Sequence, residues 1–116
     1  MPASTTPESF SQHAPLVLAS RQVCGPDRLP VCFAFRLPAN NEADSGWVFW
    51  SGLEDQAFID DADNTLVCHL FAFIDMDLTL LDVIRNPVFT AWERDGVGRD
   101  WREVADYFSA EDRGGR

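Results

Sequence analysis

Residues 47–50 read Trp-Val-Phe-Trp and have no polar face to offer water. Side chains alternate along a strand, so Trp47 and Phe49 point one way and Val48 and Trp50 the other. A strand that is apolar on both sides belongs at the centre of a sheet, or has one face under a helix. Everything else in the chain has to be arranged around that requirement.

The flanking sequence supplies the other elements. PLVLASRQV and VCFAFRL read as strands, joined by the turn-rich segment GPDRLP with Gly25-Pro26-Asp27 at the bend. These two strands are expected to form an antiparallel hairpin. PANNEADSG, residues 38–46, is a polar loop leading into the central strand. LEDQAFID reads as one short helical turn and TLVCHL as a short strand. Asp77 is expected to cap a helix through LTLLDVIR, stopped by Asn86-Pro87. VFTAWER and RDWREV read as a second hairpin around Asp95-Gly96-Val97-Gly98, which would place Trp92 opposite Trp101. The fold class is therefore α+β: a mostly antiparallel sheet of five or six strands with one or two helices packed on one face.

At 116 residues the chain makes one domain and can bury roughly two-thirds of its unfolded surface without staples. Residues 1–13, MPASTTPESFSQH, are expected to be a disordered tail, 14–108 the single domain and 109–116 a frayed tail. The first thirteen residues lack the basic and apolar regions of a signal peptide. The apolar stretch from Leu66 to Leu81 is broken by His69, Asp75 and Asp77 and is too interrupted to span a bilayer. Three cysteines, Cys24, Cys32 and Cys68, form no pairing motif, so reduced thiols and a cytoplasmic location are expected.

Charge carries the functional information. The formal net charge is −10, and all nine basic residues are Arg. Between Arg36 and Arg85 there is no Arg or Lys at all, but ten carboxylates: Glu42, Asp44, Glu54, Asp55, Asp60, Asp61, Asp63, Asp75, Asp77 and Asp82. Such a field repels nucleic acid and anionic membranes and attracts basic proteins. The absence of Lys excludes lysine Schiff-base chemistry and a phosphate-binding Lys.

Three constellations invite chemistry, and each has a plainer explanation. Asp75-Met76-Asp77-Leu78-Thr79 resembles the first motif of haloacid-dehalogenase-type phosphatases, with Asp75 as nucleophile and Asp77 as general acid. That chemistry also needs a Lys, and only 37 residues follow Thr79, too few for the rest of such a fold. Helix capping by Asp77 explains the motif better. Asp60, Asp61, Asp63 and Asn64 suggest a calcium loop, but neither register provides the required Gly and Glu. A solvated acidic loop is the simpler account. Cys68 and His69 lie on opposite faces of a strand and form no activated pair or metal spacing, which leaves Cys68 as a core residue. No catalytic set, cofactor site or metal site is expected.

The ordered features LASRQV, DSGW, Ser51-Gly52 followed by acids, Asp63-Asn64 and AWERD at 91–95 resemble the immunity protein thirty-three domain family. The resemblance spans about residues 16–104. It implies a bacterial protein that binds and neutralises a cognate polymorphic toxin, as in other toxin–antitoxin pairs, without catalysis of its own. The expected partner is a basic toxin domain, steered by the acidic field. The residues expected to meet it are Glu42, Asp44, Trp50, Glu54, Asp55, Asp60, Asp61 and Asp63. Two alternatives stand beside this: a small metal-dependent phosphohydrolase using Asp75 and Asp77, and a housekeeping adaptor with no toxin partner.

Overall fold

The computed structural model describes residues 14–24, 28–109 and 112. The expected tail at 1–13, the turn Gly25-Pro26-Asp27 and the last residues beyond Asp112 lie outside the described residues. Six strands form one sheet: β1 Leu16–Ser20, β2 Phe33–Arg36, β3 Asp44–Trp50, β4 Thr65–His69, β5 Ala91–Glu93 and β6 Arg102–Glu103. Their order is β4-β1-β3-β2-β5-β6. Among the described residues four short α-helices accompany them: α1 Arg21–Cys24, α2 Gln56–Asp60, α3 Leu70–Met76 and α4 Leu80–Val83, with a 3₁₀ turn at Ala62–Asn64. The fold is α+β, as its pattern implies.

β3 is interior, with β1 on one side and β2 on the other. Trp47 and Phe49 are fully buried against α3 and α4, together with Leu70, Phe73, Ile74, Leu80 and Ile84. Phe49 meets Phe73 edge-on at 5.3 Å, and the Trp47 indole N–H donates to the Ile84 carbonyl at 3.3 Å. On the opposite face Val48 packs with Phe35 and Ala91, and Trp50, Phe33 and Phe108 close over them. Burying side chains of this size typically contributes about 2 kcal/mol or more each. The double-sided strand is thus satisfied from both sides, by helices on one and by aromatic side chains on the other.

The expected β1–β2 hairpin does not form. β3 lies between these strands, pairing antiparallel with β2 and parallel with β1. The turn chemistry at 25–27 favours a local hairpin, but a strand that is apolar on both faces gains more by taking two neighbours. β1 instead ends directly in α1, and its free edge is covered by β4 in an antiparallel pair. Against β1, the stretch from Asp44 to Val48 on β3 matches only Leu16 to Leu18, so β3 bulges there. Gly46 sits in the bulge at φ +84, and a Cβ there would stand 2.1 Å from the Leu37 carbonyl oxygen. Only glycine fits that position.

The second hairpin forms with a different register. Trp92 pairs with Glu103 and Glu93 with Arg102, so Trp92 does not face Trp101. Arg94 and Trp101 stand beyond the paired residues, and the Arg94 guanidinium lies 4.7 Å from the Trp101 ring centroid. The helix expected across LTLLDVIR is only the four residues of α4, closed by Asn86, whose amide donates to the Asp82 and Val83 carbonyls. The apolar run before it folds as α3. Asp77 acts between the two, accepting from the Thr79 N–H at 3.1 Å instead of capping the helix proper.

Candidate partner-binding surface

β3 separates the two clusters of expected contact residues. Asp44 begins the strand and Trp50 ends it, about 20 Å apart at the usual rise of an extended chain. Glu42 and Asp44 therefore sit at one end of the sheet, and Trp50, Glu54 and Asp55 follow from the other.

Most of these carboxylates also serve the backbone. Asp44 accepts from Asn40 N at 2.9 Å with one oxygen and from Gly46 N at 2.9 Å with the other, which pins the loop to the bulge. Glu54 accepts from the Ser51 N–H, the Ser51 hydroxyl and the Gly52 N–H, all at 2.9 Å. Burial pushes its carboxyl up, but hydrogen bonds from Ser20, Ser51 and the local backbone outweigh that and hold it below the usual value. Asp55 caps α2 through Phe58 N, and Asp61 caps the 3₁₀ turn through Asp63 N. Asp60 accepts from Gln56 Nε2, and the Asp63 carbonyl accepts from Arg21. Glu42 is exposed. Capping leaves a carboxylate charged and in water, so these groups still project a negative field.

A groove of about 590 Å³ gathers Trp50 and Glu54 with residues the linear sequence does not connect to them. Its apolar floor includes Phe33, Trp50 and Tyr107, with Phe33 stacked on Trp50 at 5.8 Å and Tyr107 5.2 Å from Phe33. Leu53 stands at its margin with 73 % of its surface exposed. Its acidic wall is Glu54, Glu93 and Asp95. The two arginines in the lining are both engaged. Arg102 bonds Glu93 at 3.1 Å and Asp95 at 3.0 Å, and Arg94 is paired with Asp77. Glu93, Asp95, Leu53 and Tyr107 were not among the expected contacts. The signal that could have found them is the pairing of β5 with β2, which carries Glu93 opposite Phe33.

The DxDxT-like segment is structural in its second half. Asp77 gives one oxygen to Arg94 and the other to the Thr79 N–H and hydroxyl. Hydrogen bonds from Thr79 and Arg94, with the Arg94 charge, outweigh burial and lower its pKa. Thr79 Oγ also receives bonds from Arg94 and from the Trp101 indole at 3.1 Å. Asp75 is exposed on α3. Among the described residues, no three His, Cys, Asp or Glu side chains are grouped to hold a metal ion. Nor is any helix among them long and apolar enough to cross a membrane.

The most distinctive sequence features are thus scaffold. Asp44, Gly46 and Trp47 build the bulge and core; Ser51, Gly52 and Glu54 build the turn after β3. Asn64 ties the 3₁₀ turn to α2, its amide donating to the Phe58 carbonyl at 3.0 Å. A protein-family model described as the Immunity protein Imm33 domain matches residues 17–105. No curated protein and no solved structure matches the chain.

Proposed function

The chain belongs to the Imm33 immunity protein domain family, and from that membership we propose that it neutralises a cognate toxin by binding, without catalysis. The partner is a toxin domain with a basic surface, met in the cytoplasm. It docks on the groove beside Trp50 and on the exposed carboxylates that continue from it through Asp55, Asp60 and Asp61. Asp63, in the 3₁₀ turn beside Asp61, and Glu42 and Asp44, at the far end of β3, add to the long-range field.

The observation that carries this reading is the composition of the groove. An aromatic floor and an exposed Leu53 lie against Glu54, Glu93 and Asp95; Arg94 is matched by Asp77, and the single charge of Arg102 is shared between Glu93 and Asp95, so the lining stays net negative. Apolar anchors in such a setting supply affinity, and the surrounding charge supplies rate and choice of partner. With a net charge of −10, the long-range field favours the same partner.

The test uses the full chain and the toxin domain encoded beside it. Asp55→Asn, Asp60→Asn and Asp61→Asn together remove three charges, and Asn keeps the two caps. The triple variant is expected to bind at least about tenfold more weakly at low salt and equally fold. Unchanged affinity removes this surface from the proposal. A wild-type chain that neither binds the toxin nor protects cells from it overturns the immunity reading in favour of an adaptor with no toxin partner.

A further inference from the structure

Cys24 and Cys68 are 44 residues apart in sequence, yet their sulfurs stand 2.8 Å apart. Cys24 ends α1, which turns straight out of β1, and Cys68 lies on β4, the antiparallel neighbour of β1. Both side chains pack against the helical face of the core, and both are only partly buried. A disulfide bond is about 2.05 Å long, so closing it requires less than about 1 Å of movement. The third cysteine is elsewhere. Cys32 precedes β2, and β1 and β3 lie between that strand and β4, a separation of about 14 Å at ordinary strand spacing.

We propose that Cys24 and Cys68 form a reversible disulfide, a redox modification site that ties α1 to the edge strand β4. The oxidant is a peroxide. One equivalent oxidises the Cys68 sulfur to a sulfenic acid, and its other oxygen leaves as water. The Cys24 sulfur then attacks the sulfenic sulfur. The S–O bond breaks, the Cys24 proton joins the departing hydroxyl, and a second water is released. Overall, two thiols and one peroxide give one disulfide and two waters. In the reduced protein burial, then the hydrogen bond and charge of Cys68, push the Cys24 thiol up to about 12, which leaves Cys24 the less reactive of the two sulfurs until Cys68 has taken the oxidant.

The consequence is local rigidity at one edge of the sheet. Among the described residues β4 has a strand neighbour on one side only, and Val67 on it is 65 % exposed. The cross-link closes a long loop that contains β2, β3 and the acids from Glu42 to Asp63. It restrains the unfolded chain far more than the folded one.

The native chain is treated with a few equivalents of hydrogen peroxide, and its thiols are counted after denaturation. Trypsin separates the three cysteines, because Arg28 lies between Cys24 and Cys32 and Arg36 between Cys32 and Cys68. The expected result is loss of two thiols, a cross-linked pair of peptides carrying Cys24 and Cys68, and full recovery with dithiothreitol. The thermal midpoint should rise by about 10 °C or more. Cys32→Ser should still lose both its thiols, whereas Cys24→Ser and Cys68→Ser should each form no intramolecular bond. Retention of all three thiols, a bond involving Cys32, or a bond between two chains overturns the proposal.

Discussion

Arg94 donates to Asp77 across 2.5 Å from a side chain that is only 1 % exposed. The guanidinium also gives Nε and Nη2 to the Val31 carbonyl and lies over Trp101. One cation thereby joins the β2 approach, the α3–α4 corner and the β5–β6 hairpin. Removing one partner of a buried pair leaves the other uncompensated. Arg94→Ala should cost about 3 kcal/mol, and Asp77→Asn, which leaves the buried guanidinium without its counter-charge, a similar amount. Urea unfolding followed by tryptophan fluorescence measures both; equal stability of Arg94→Ala and wild type would contradict this account.

Acid should unfold the protein through the same groups. The folded pKa values of Asp77 and Glu54 both lie below their ordinary values. A depressed carboxylate contributes stability that is present above its unfolded pKa and lost as pH falls through its folded one. Stability should therefore be flat near neutrality and decline below about pH 4. Glu54→Gln and Asp77→Asn should each make the acid limb shallower. A titration of unfolding free energy against pH checks this, and an unchanged slope in both variants would refute it.

Two glycines with the same backbone sign separate steric need from conformational need. Gly46 and Gly98 both have positive φ, but a Cβ at Gly98 meets nothing within 4 Å. Gly98→Ala should cost about 1 kcal/mol. Gly46→Ala must also displace the Leu37 carbonyl, so it should cost several times that or prevent folding. Comparable thermal midpoints for the two variants would remove the steric argument for the bulge.

Leu53 separates the proposed docking surface from the scaffold. It is highly exposed, although its backbone N–H is held by the Ser51 hydroxyl. Leu53→Arg should leave stability within about 0.5 kcal/mol. It should weaken toxin binding at least about tenfold, losing an apolar anchor and adding a like charge to the partner. Calorimetric titration at two salt concentrations gives both quantities. Undiminished affinity would move the interface away from this groove.

The central place of β3 was legible because its double-sided apolar pattern admits few environments. The short α2 and the strand at 65–69 were legible for similar local reasons. What escaped was non-local. The turn at 25–27 argues for a hairpin that only the demands of β3 overrule. The pairings of Asp77 with Arg94 and of Cys24 with Cys68 have no trace in sequence spacing. At the site, Trp50 and Glu54 were visible from their neighbours. Glu93 and Asp95 join them only through strand pairing. Of the carboxylates expected to meet a partner, Asp44, Glu54, Asp55 and Asp61 are also caps or turn acceptors, because an acidic side chain beside a loop finds the nearest N–H.

The parallel contact between β1 and β3 has a consequence for how the chain assembles. β2 and β3 are joined by a short loop and can pair as soon as both exist. β1 is made before β3 and must wait for it, and its second neighbour β4 comes later still. During synthesis its apolar residues, among them Val17 and Ala19, are without their final cover until some fifty residues have followed, by count along the chain. A strand made before its neighbours is thus one of the last to be secured. Substitutions in the β2–β3 hairpin should slow folding, and those between β1 and β4 should mainly hasten unfolding, a division that stopped-flow kinetics can read.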